Sequence, residues 1–167
     1  TMIVPKYNTY NEIDAITSIT DHSLLTIKGK GLNGCNGILL KILTIISKLS
    51  VNIPFFTQAS SEQTICLCIQ KKYIKLIETN ILLDFKHEIK NNIIDNISFQ
   101  KNICIITVVG YNMINNIGIA GKIFTILGNC NVNIIAISQG SSERSISFII
   151  DKKYEIISLN AIHTLIK

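Results

Sequence analysis

VNIPFFTQASSEQTI fills residues 51–65, and the closely related VNIIAISQGSSERSI fills residues 132–146, 81 positions further along. The offset continues without a gap on both sides, where it maps Gly37 onto Gly118. About two in five positions of residues 24–73 are identical to their counterparts, which indicates an internal repeat. Two copies are too few for a solenoid, so the repeat predicts two units of about 80 residues that pair through a shared surface.

Apolar periodicity predicts the same order of elements in both copies. After the first glycine turn, Ile38, Ile42 and Ile45 recur at steps of three and four, which predicts a helix with one apolar face. The full order of strands and helices in a copy is that of the ferredoxin-like βαββαβ arrangement. The sequence therefore predicts an α+β fold of two such units in tandem, each an antiparallel four-stranded sheet with two helices on one face. The predicted elements are strands at 24–28, 51–58, 63–69, 95–100, 103–109, 132–139 and 144–150, and helices from 37, at 71–90, at 118–130 and from 152.

The second copy stops before a closing strand of its own, and the start of the chain offers a replacement. Residues 13–20 alternate weakly between apolar and polar side chains, which indicates a short strand. We predict that this strand completes the second unit, so that the first unit is inserted within the second. The resulting boundaries are a linker and strand at 1–20, one unit at 21–101 and another at 102–167. Because the chain starts at Thr1 and stops within a helical pattern, we also expect it to be a segment of a longer protein.

The composition favours a packed domain rather than a nucleic-acid or membrane protein. Hydrophobic residues make up 47% of the chain, enough for a core and atypical of disorder. The net charge of +5 comes from scattered lysines and the single Arg144, a composition typical of an A- and T-rich genome. Without a basic stripe or interleaved aromatic residues, nucleic-acid binding is not predicted. No apolar run reaches the roughly 18 residues that a membrane span needs.

The residues that carry catalysis in other proteins show no suitable grouping. Five cysteines, an odd number without paired spacing, argue against a disulfide framework and favour a reducing, cytoplasmic location. Cys66 and Cys68 alternate along a strand and point to one face, which indicates packing. The histidines lack metal-ligand spacing and the carboxylates lack a pair for acid–base chemistry. The sequence therefore predicts neither a catalytic site nor a metal site in this chain.

Gly29, Gly31 and Gly34 spell G-x-G-x-x-G between a strand and a helix, the spacing of a dinucleotide-binding turn. Such a site needs an acidic residue about 20 positions on, but residues 52–58 contain none, and the predicted sheet is not the parallel one required. We favour a turn that presents backbone N–H groups to a small anion at the start of the helix. Glycines needed only for positive φ remain the alternative.

Gln58 and Gln139 end strands at equivalent positions of the two copies. A lone glutamine at a strand end is usually only solvated, but two at equivalent places in apolar surroundings favour a binding role. The amide donates and accepts at once, which suits a hydroxyl or an amino-acid head group. The Ser-Ser-Glu triplets at 60–62 and 141–143 have no histidine nearby and no nucleophile-elbow pattern, so we interpret them as polar hairpin turns.

The doubled block, FTQASSEQTI and then NVNIIAISQGSSERSIS, resembles the regulatory region of aspartate kinases, which is a pair of ACT domains. It looks most like the threonine-sensitive bifunctional aspartate kinase/homoserine dehydrogenases, and the resemblance covers residues from about 12 to 167. It implies a kinase domain before the chain and a homoserine dehydrogenase domain after it. ATP, Mg and NADP would serve those domains, and no cofactor is expected in this chain.

In this family the effector contacts the strand-end glutamine, the apolar residue two positions before it and the glycine turn, at an interface between ACT units. The resemblance also implies a homodimer or larger homo-oligomer through the ACT units. Phe56 departs from the family pattern, where an aliphatic residue is usual. The implied effector-binding residues are Gln58, Phe56, Gly34 and Gly37 in the first unit and Gln139, Ile137, Asn115 and Gly118 in the second.

The expected effector is L-threonine. Lysine-sensitive relatives carry an acidic residue on the second strand of the unit, where this chain has Pro54 and Ile135. A buried ammonium without a partner is costly, so lysine is disfavoured, whereas the hydroxyl and methyl of threonine suit a glutamine beside an apolar side chain. The expected function is feedback sensing in aspartate-family amino-acid biosynthesis. Two alternatives stay open: a dimerisation scaffold that has lost effector binding, and a free-standing amino-acid-binding regulator.

Overall fold

A computed structural model describes residues 11–30, 37–59 and 63–166. The described strands are β1 (Ala15–Ile19), β2 (His22–Lys28), β3 (Phe56–Ala59), β4 (Thr64–Gln70), β5 (Asn96–Gln100), β6 (Ile103–Val109), β7 (Ala136–Gln139) and β8 (Ser145–Asp151). The described helices are α1 (Ile38–Lys48), α2 (Ile74–Asp84), α3 (Lys86–Lys90), α4 (Ile119–Asn129) and α5 (Glu155–His163). None of these helices is both long and apolar enough to cross a membrane.

The chain divides into two compact units. The inserted unit comprises Ile19–Cys104, and the split unit comprises Thr1–Ser18 together with Ile105–Lys167. Strand order is β3-β4-β2-β5 in the sheet of the inserted unit and β1-β6-β8-β7 in the sheet of the split unit. The prediction of an α+β fold with two ferredoxin-like units is confirmed, because both orders are those of the βαββαβ arrangement.

The inserted unit is held together by an aliphatic core between its sheet and its helices. Alternate residues of β2 and β4, such as Leu25 and Leu67, are fully buried and belong to one cluster with the buried face of α1. That helix buries residues at the predicted steps of three and four, among them Ile42 and Ile45. Each such side chain contributes about 1.5–3 kcal/mol when fully buried, so the periodicity of the sequence accounts for this layer.

The split unit repeats this layering at an offset of 81 residues. Its helix α4 buries Ile119, Ile123 and Leu127. Phe124 of the same helix contacts Phe148 of β8 edge-on, with ring centroids 6.0 Å apart. An edge-to-face contact of this kind adds roughly 0.5–1.5 kcal/mol to the area that the rings bury. Through this contact, α4 packs against the sheet at β8.

The split unit takes its edge strand from the beginning of the chain, where β1 lies next to β6. The residues just before β1 and just before β5 form equivalent hydrogen bonds. The Asp14 amide donates to the carbonyl of Val109 at 2.8 Å, and the Asp95 amide donates to the carbonyl of Lys28 at 2.8 Å. Both pairs of residues are related by the same offset of 81 positions. The internal repeat is therefore circular, because the segment before β1 is the counterpart of the segment before β5.

Gly29 and Gly110 leave room for the segments that precede β5 and β1 to pass close to the ends of β2 and β6. A Cβ built on Gly29 overlaps the carbonyl oxygen of Ile93, and a Cβ on Gly110 overlaps the carbonyl oxygen of Glu12. Gly110 has a φ of −163°, an extended conformation that any residue adopts. Lack of space for a side chain, rather than an unusual backbone conformation, is thus the reason for glycine at this position.

The predicted strands at 51–58 and 132–139 are wrong over their first halves. The ladder begins only at Phe56 and Ala136, and the preceding residues connect helix to sheet without forming a strand. Apolar residues of these connections pack into the cores instead, with Val51 and Val132 less than a tenth exposed. Pro54 also lacks the N–H that a ladder requires. The apolar residues in these runs therefore reflect burial in the core rather than pairing in a strand. The apolar pattern of the sequence alone does not distinguish these two causes.

The helix predicted over 71–90 is interrupted. It starts with a 3-10 turn at Lys71–Tyr73 and breaks between α2 and α3 at Phe85, whose φ and ψ are −98° and 14°. Phe85 is fully buried, and the ammonium of Lys41 lies 4.7 Å from the centroid of its ring. Most of the first glycine turn and the triplet at 60–62 lie outside the described residues.

Candidate functional site

The loop from β6 to α4 forms one wall of a cavity in the split unit. It runs from Gly110 through a 3-10 turn at Tyr111–Met113 and reaches Asn115, which has a φ of 56°. The loop ends at Gly118, which has a φ of 90° and caps the N-terminus of α4. A Cβ on Gly118 would meet no atom within 4 Å, so its backbone conformation alone requires glycine.

The end of β7 and the turn after it form the opposite wall. Gln139 is the last residue of β7 and is exposed. In the turn, the Glu143 amide donates to the carbonyl of Gly140 at 3.0 Å, and Glu143 has a φ of 56°. Its carboxylate joins the two walls, because Oε2 accepts a hydrogen bond from the Asn115 amide at 2.7 Å.

The cavity between these walls has a volume of about 520 Å³. This size suits a small organic ligand. Three of the predicted residues, Gln139, Asn115 and Gly118, come together in its lining although they lie on different elements. The complete lining is Met113, Asn115, Asn116, Ile117, Gly118, Ile119, Ala120, Gln139 and Glu143.

Ile137 is not part of the lining. It lies two positions before Gln139 on the same face of β7 and is 43% exposed. Its cross-strand neighbour is Phe148, a helix-facing residue of the core, so Ile137 projects to the helix side of the sheet edge. The structure therefore brings three of the four residues implied for the second unit into one cavity.

The residues implied for the first unit are not assembled in the same way. Gln58 is exposed at β3, and Phe56, two positions earlier, is 36% exposed on the same face. Gly37 caps α1 with a φ of 91° and lines a separate groove of about 450 Å³ that Gln58 does not enter. Gly34 lies outside the described residues. Among the described residues, the split unit therefore presents a cavity that includes a strand-end glutamine.

The cavity combines hydrogen-bonding groups with apolar surface. The amide side chains of Gln139, Asn115 and Asn116 donate and accept, and the first turn of α4 supplies backbone N–H groups that have no partner within the helix. Ile117 is 97% exposed and adds an apolar side chain at the helix start. Such a set can bind a small polar molecule that also carries an alkyl group.

The loop is also tied to the segment that precedes β1. The Tyr111 amide donates to Asp14 Oδ2 at 2.8 Å, and Asn112 Nδ2 donates to the carbonyl of Asn11 at 2.9 Å. Lys122 of α4 forms an ion pair with Glu12, with Nζ 2.6 Å from Oε1. The hydrogen bond from Lys122 is the main reason that the pKa of Glu12 lies below its ordinary value.

Sequence reasoning did not single out Glu143, Glu12 or Asp14. Glu143 belongs to a triplet that was interpreted as a polar turn, and the turn itself is present. For Asp14 a signal did exist, because the offset of 81 positions pairs it with the identical Asp95. Glu12 has Ile93 as its counterpart, so the repeat gives no hint of its ion pair.

The other candidate groups show no reactive arrangement. The side chains of Cys66 and Cys68 share a face of β4, and burial raises the pKa of the Cys68 thiol to about 12. A thiol with so high a pKa is not a nucleophile at neutral pH. In the described part of the chain, no three metal-ligating side chains are grouped closely enough to hold an ion.

Comparison with known proteins agrees with this architecture. Residues 106–165 match the family described as the ACT domain. The bifunctional aspartokinase/homoserine dehydrogenase of Haemophilus influenzae is 31% identical over 152 residues, which cover 91% of this chain and 19% of that protein. This chain thus spans about a fifth of the length of such relatives.

Solved structures show the same pair of units. Aspartate kinase of Clostridium acetobutylicum, described as an allosteric enzyme, matches with a TM-score of 0.81 and 26% identity, over 97% of this chain and 36% of that one. The ligand-free regulatory subunit of aspartate kinase from Thermus thermophilus matches with a TM-score of 0.75 and 17% identity, over 93% of this chain and 99% of that one.

The chain contains an ACT domain in its split unit, at residues 106–165. More narrowly, it is homologous to the regulatory region of bifunctional aspartokinase/homoserine dehydrogenases.

Proposed function

We propose that this chain is an amino-acid-sensing regulatory region and that L-threonine is its effector. The observation that carries the proposal is the cavity of the split unit, which unites Gln139 with Asn115 and Gly118. A strand-end amide and a glycine turn at a helix start are the groups through which the sequence predicted recognition of an amino acid. The proposed cavity site lies within the residues that match the ACT domain.

The chemistry of the lining supports threonine over other aspartate-derived amino acids. The effector carboxylate binds the backbone amides at the start of α4, where the helix dipole favours negative charge. The hydroxyl exchanges hydrogen bonds with the Gln139 amide, and the methyl group packs on Ile117 or Met113. Lysine brings a second ammonium, Ile135 offers it no partner, and the lining contains one carboxylate, Glu143, for two ammonium groups, so lysine binding is penalised by an unpaired charge.

The proposed role is feedback control of a longer enzyme. The parent protein would join this region to an ATP- and Mg-dependent aspartate kinase and an NADP-dependent homoserine dehydrogenase in the cytoplasm. Threonine can change their activity only by binding two states of the protein with different affinity. Coupling free energies of this kind are on the order of 1–3 kcal/mol. We further propose that the ACT units hold the protein as a homodimer or larger homo-oligomer.

Isothermal titration calorimetry with L-threonine, and with L-lysine as the control ligand, tests the proposal. We expect heat from threonine only, and we expect Gln139→Ala to abolish it. Gln58→Ala reports whether the inserted unit holds a second site. Gln100→Ala is the matched control, because Gln100 is also an exposed glutamine at a strand end but lies outside the cavity.

The outcomes separate the functions that the sequence leaves open. Binding of lysine would contradict the argument from Ile135 and reassign the effector. No binding of either ligand by a folded oligomer, measured by sedimentation velocity, would favour a dimerisation scaffold that has lost its effector. Binding of threonine by a monomer would leave sensing in place and remove the proposed assembly.

A further inference from the structure

The described lining of the cavity in the split unit carries charge on one side only. Among its lining residues, Glu143 is the only one with an ionisable side chain. The remaining lining groups are amides, backbone and alkyl surface. No lysine or arginine side chain lines the cavity to attract a plain carboxylate. A ligand with a single negative charge therefore meets Glu143 as a repulsive neighbour.

Glu143 is held in place by its own turn and by the facing loop. Its backbone amide is bonded to Gly140, and one carboxylate oxygen accepts from the Asn115 amide at 2.7 Å. An ionised carboxylate offers about four acceptor positions on two oxygens, so this bond leaves acceptor capacity free. The charge is thus positioned at one wall of the cavity without being neutralised by a basic side chain in the lining.

The opposite pole of the cavity is the first turn of α4. Gly118 sets the start of that helix, and the N–H groups of its first turn, which have no partner within the helix, carry partial positive charge. The cavity therefore has an anionic side at Glu143 and a positively polarised side at α4. An α-amino acid has the matching pair of charges on adjacent groups, whereas hydroxy acids and oxo acids carry only the negative one.

We propose that Glu143 binds the α-ammonium of the effector and is the residue that selects amino acids over deaminated acids of the same skeleton. The inference rests on the proposed function, since it assigns a role within the same site. Glu143 also positions Asn115, so the test must separate its charge from its hydrogen bond. Glu143→Gln does this, because the amide oxygen still accepts from the Asn115 amide while the negative charge is lost.

The experiment compares L-threonine with 2,3-dihydroxybutanoate, which replaces the ammonium by a hydroxyl, in calorimetric titrations of the full chain. We expect the unaltered protein to prefer threonine by about tenfold to a hundredfold, the range of a hydrogen bond to a charged group. Glu143→Gln should weaken threonine binding and reduce the preference to within about threefold. Threonine affinity should also fall at high pH as its ammonium deprotonates, and this fall should be shallower in Glu143→Gln.

Glu78→Gln is the matched control, because Glu78 is an exposed residue of α2 and the substitution removes the same charge outside the cavity. It should leave both affinities unchanged. If Glu143→Gln keeps the full preference for threonine, or weakens both ligands equally, the inference is overturned while amino-acid sensing stands. If the unaltered protein binds no amino acid at all, the proposed function fails and the inference fails with it.

Discussion

The two units use the same lysine in different ways. Lys41 of the inserted unit pairs with Glu88 of α3 at 2.7 Å, whereas its counterpart Lys122 in the split unit pairs with Glu12, on the segment that precedes β1. Neither acid is the counterpart of the other in the repeat. The position of the cation is therefore shared by the two units, while the anion comes from whichever segment passes beside the helix.

Backbone features agree more closely than side chains do. The Gly29 amide donates to the carbonyl of Gln63, and the Gly110 amide donates to the carbonyl of Arg144 at the equivalent place. The Lys30 amide, two residues after the end of β2, donates to Asp95 Oδ2, and the Tyr111 amide, two residues after the end of β6, donates to Asp14 Oδ2. What the repeat preserves is the path of the main chain and the few residues on which that path depends.

The largest expected effect follows from the close approach of backbone to Gly29 and Gly110. Gly29→Ala and Gly110→Ala should each lower the free energy of unfolding by about 3 kcal/mol, because a methyl group collides with backbone that cannot move aside. Urea unfolding followed by circular dichroism measures both. Gly128→Ala in α4, where a Cβ meets nothing within 4 Å, should be neutral or stabilising. If Gly29→Ala and Gly110→Ala lower the free energy of unfolding by different amounts, the close approach of backbone is not equivalent in the two units.

Substitution of the glycines that cap α1 and α4 should reduce stability by a smaller amount. Gly37→Ala and Gly118→Ala force an alanine to φ values of 91° and 90°, at a cost of about 1–2 kcal/mol, although space for the methyl group is free. Asparagine tolerates this conformation better, so Gly37→Asn and Gly118→Asn should recover part of the loss. Thermal unfolding without ligand measures the series. Alanine variants as stable as the parent would show that the caps relax to another conformation.

A buried hydroxyl distinguishes the helices that follow β4 and β8. Ser158 of α5 is fully buried, its Oγ has no partner among the described residues, and its counterpart in α2 is Ile77. Ser158→Ala should raise the free energy of unfolding by about 1 kcal/mol, because an unsatisfied polar group is removed. Ser147→Ala is the opposite case and should lower stability, since Ser147 Oγ is bonded to Thr107 Oγ1 at 2.8 Å. Destabilisation by Ser158→Ala would indicate a hydrogen bond formed in solution.

The smallest effects belong to the two ion pairs. Lys41→Met and Lys122→Met should each cost less than about 1 kcal/mol near neutral pH, since the pairs are partly exposed. The pKa values of Glu88 and Glu12 lie below the ordinary 4.5, chiefly through hydrogen bonds from these lysines. Their stabilisation is therefore complete above about pH 4.5 and is lost as pH falls through the lowered pKa.

Thermal unfolding from about pH 3 to pH 7 tests this linkage. The melting temperature of each methionine variant should decline less steeply on the acid side than that of the parent. High salt should reduce the difference between parent and variant at neutral pH. An identical acid-side slope in parent and variant would mean that other carboxylates control acid unfolding.

Much of the fold was predictable because burial and periodicity fix it locally. The helix that contains Ile42 and the strand that contains Leu67 both follow from patterns within a dozen residues. The start of β3 was not predictable, because Val51 and Phe55 are apolar for packing rather than for pairing. Sequence patterns do not separate these two causes.

The candidate site was predictable only in part. Gln139 was identified because Gln58 occupies the equivalent position of the other copy. In the structure, Gln139 lines one cavity together with Asn115 and Gly118. Glu143 was missed because its importance comes from a contact with Asn115 across the cavity, and no local pattern encodes such a contact. Residues that act through long-range geometry need the fold before their role becomes visible.

The insertion of one unit within the other also sets an order for folding during synthesis. Every strand of the sheet in the inserted unit lies between His22 and Gln100, so this sheet is complete before β6 has been translated. By contrast, β1 emerges first and waits for a partner while Ile19–Cys104 is made, roughly 4–17 s at typical translation rates. The strand β1, AITSI, has only five residues, and two of them are polar. A strand of this kind can wait unpaired on the ribosome with little risk of association with other chains.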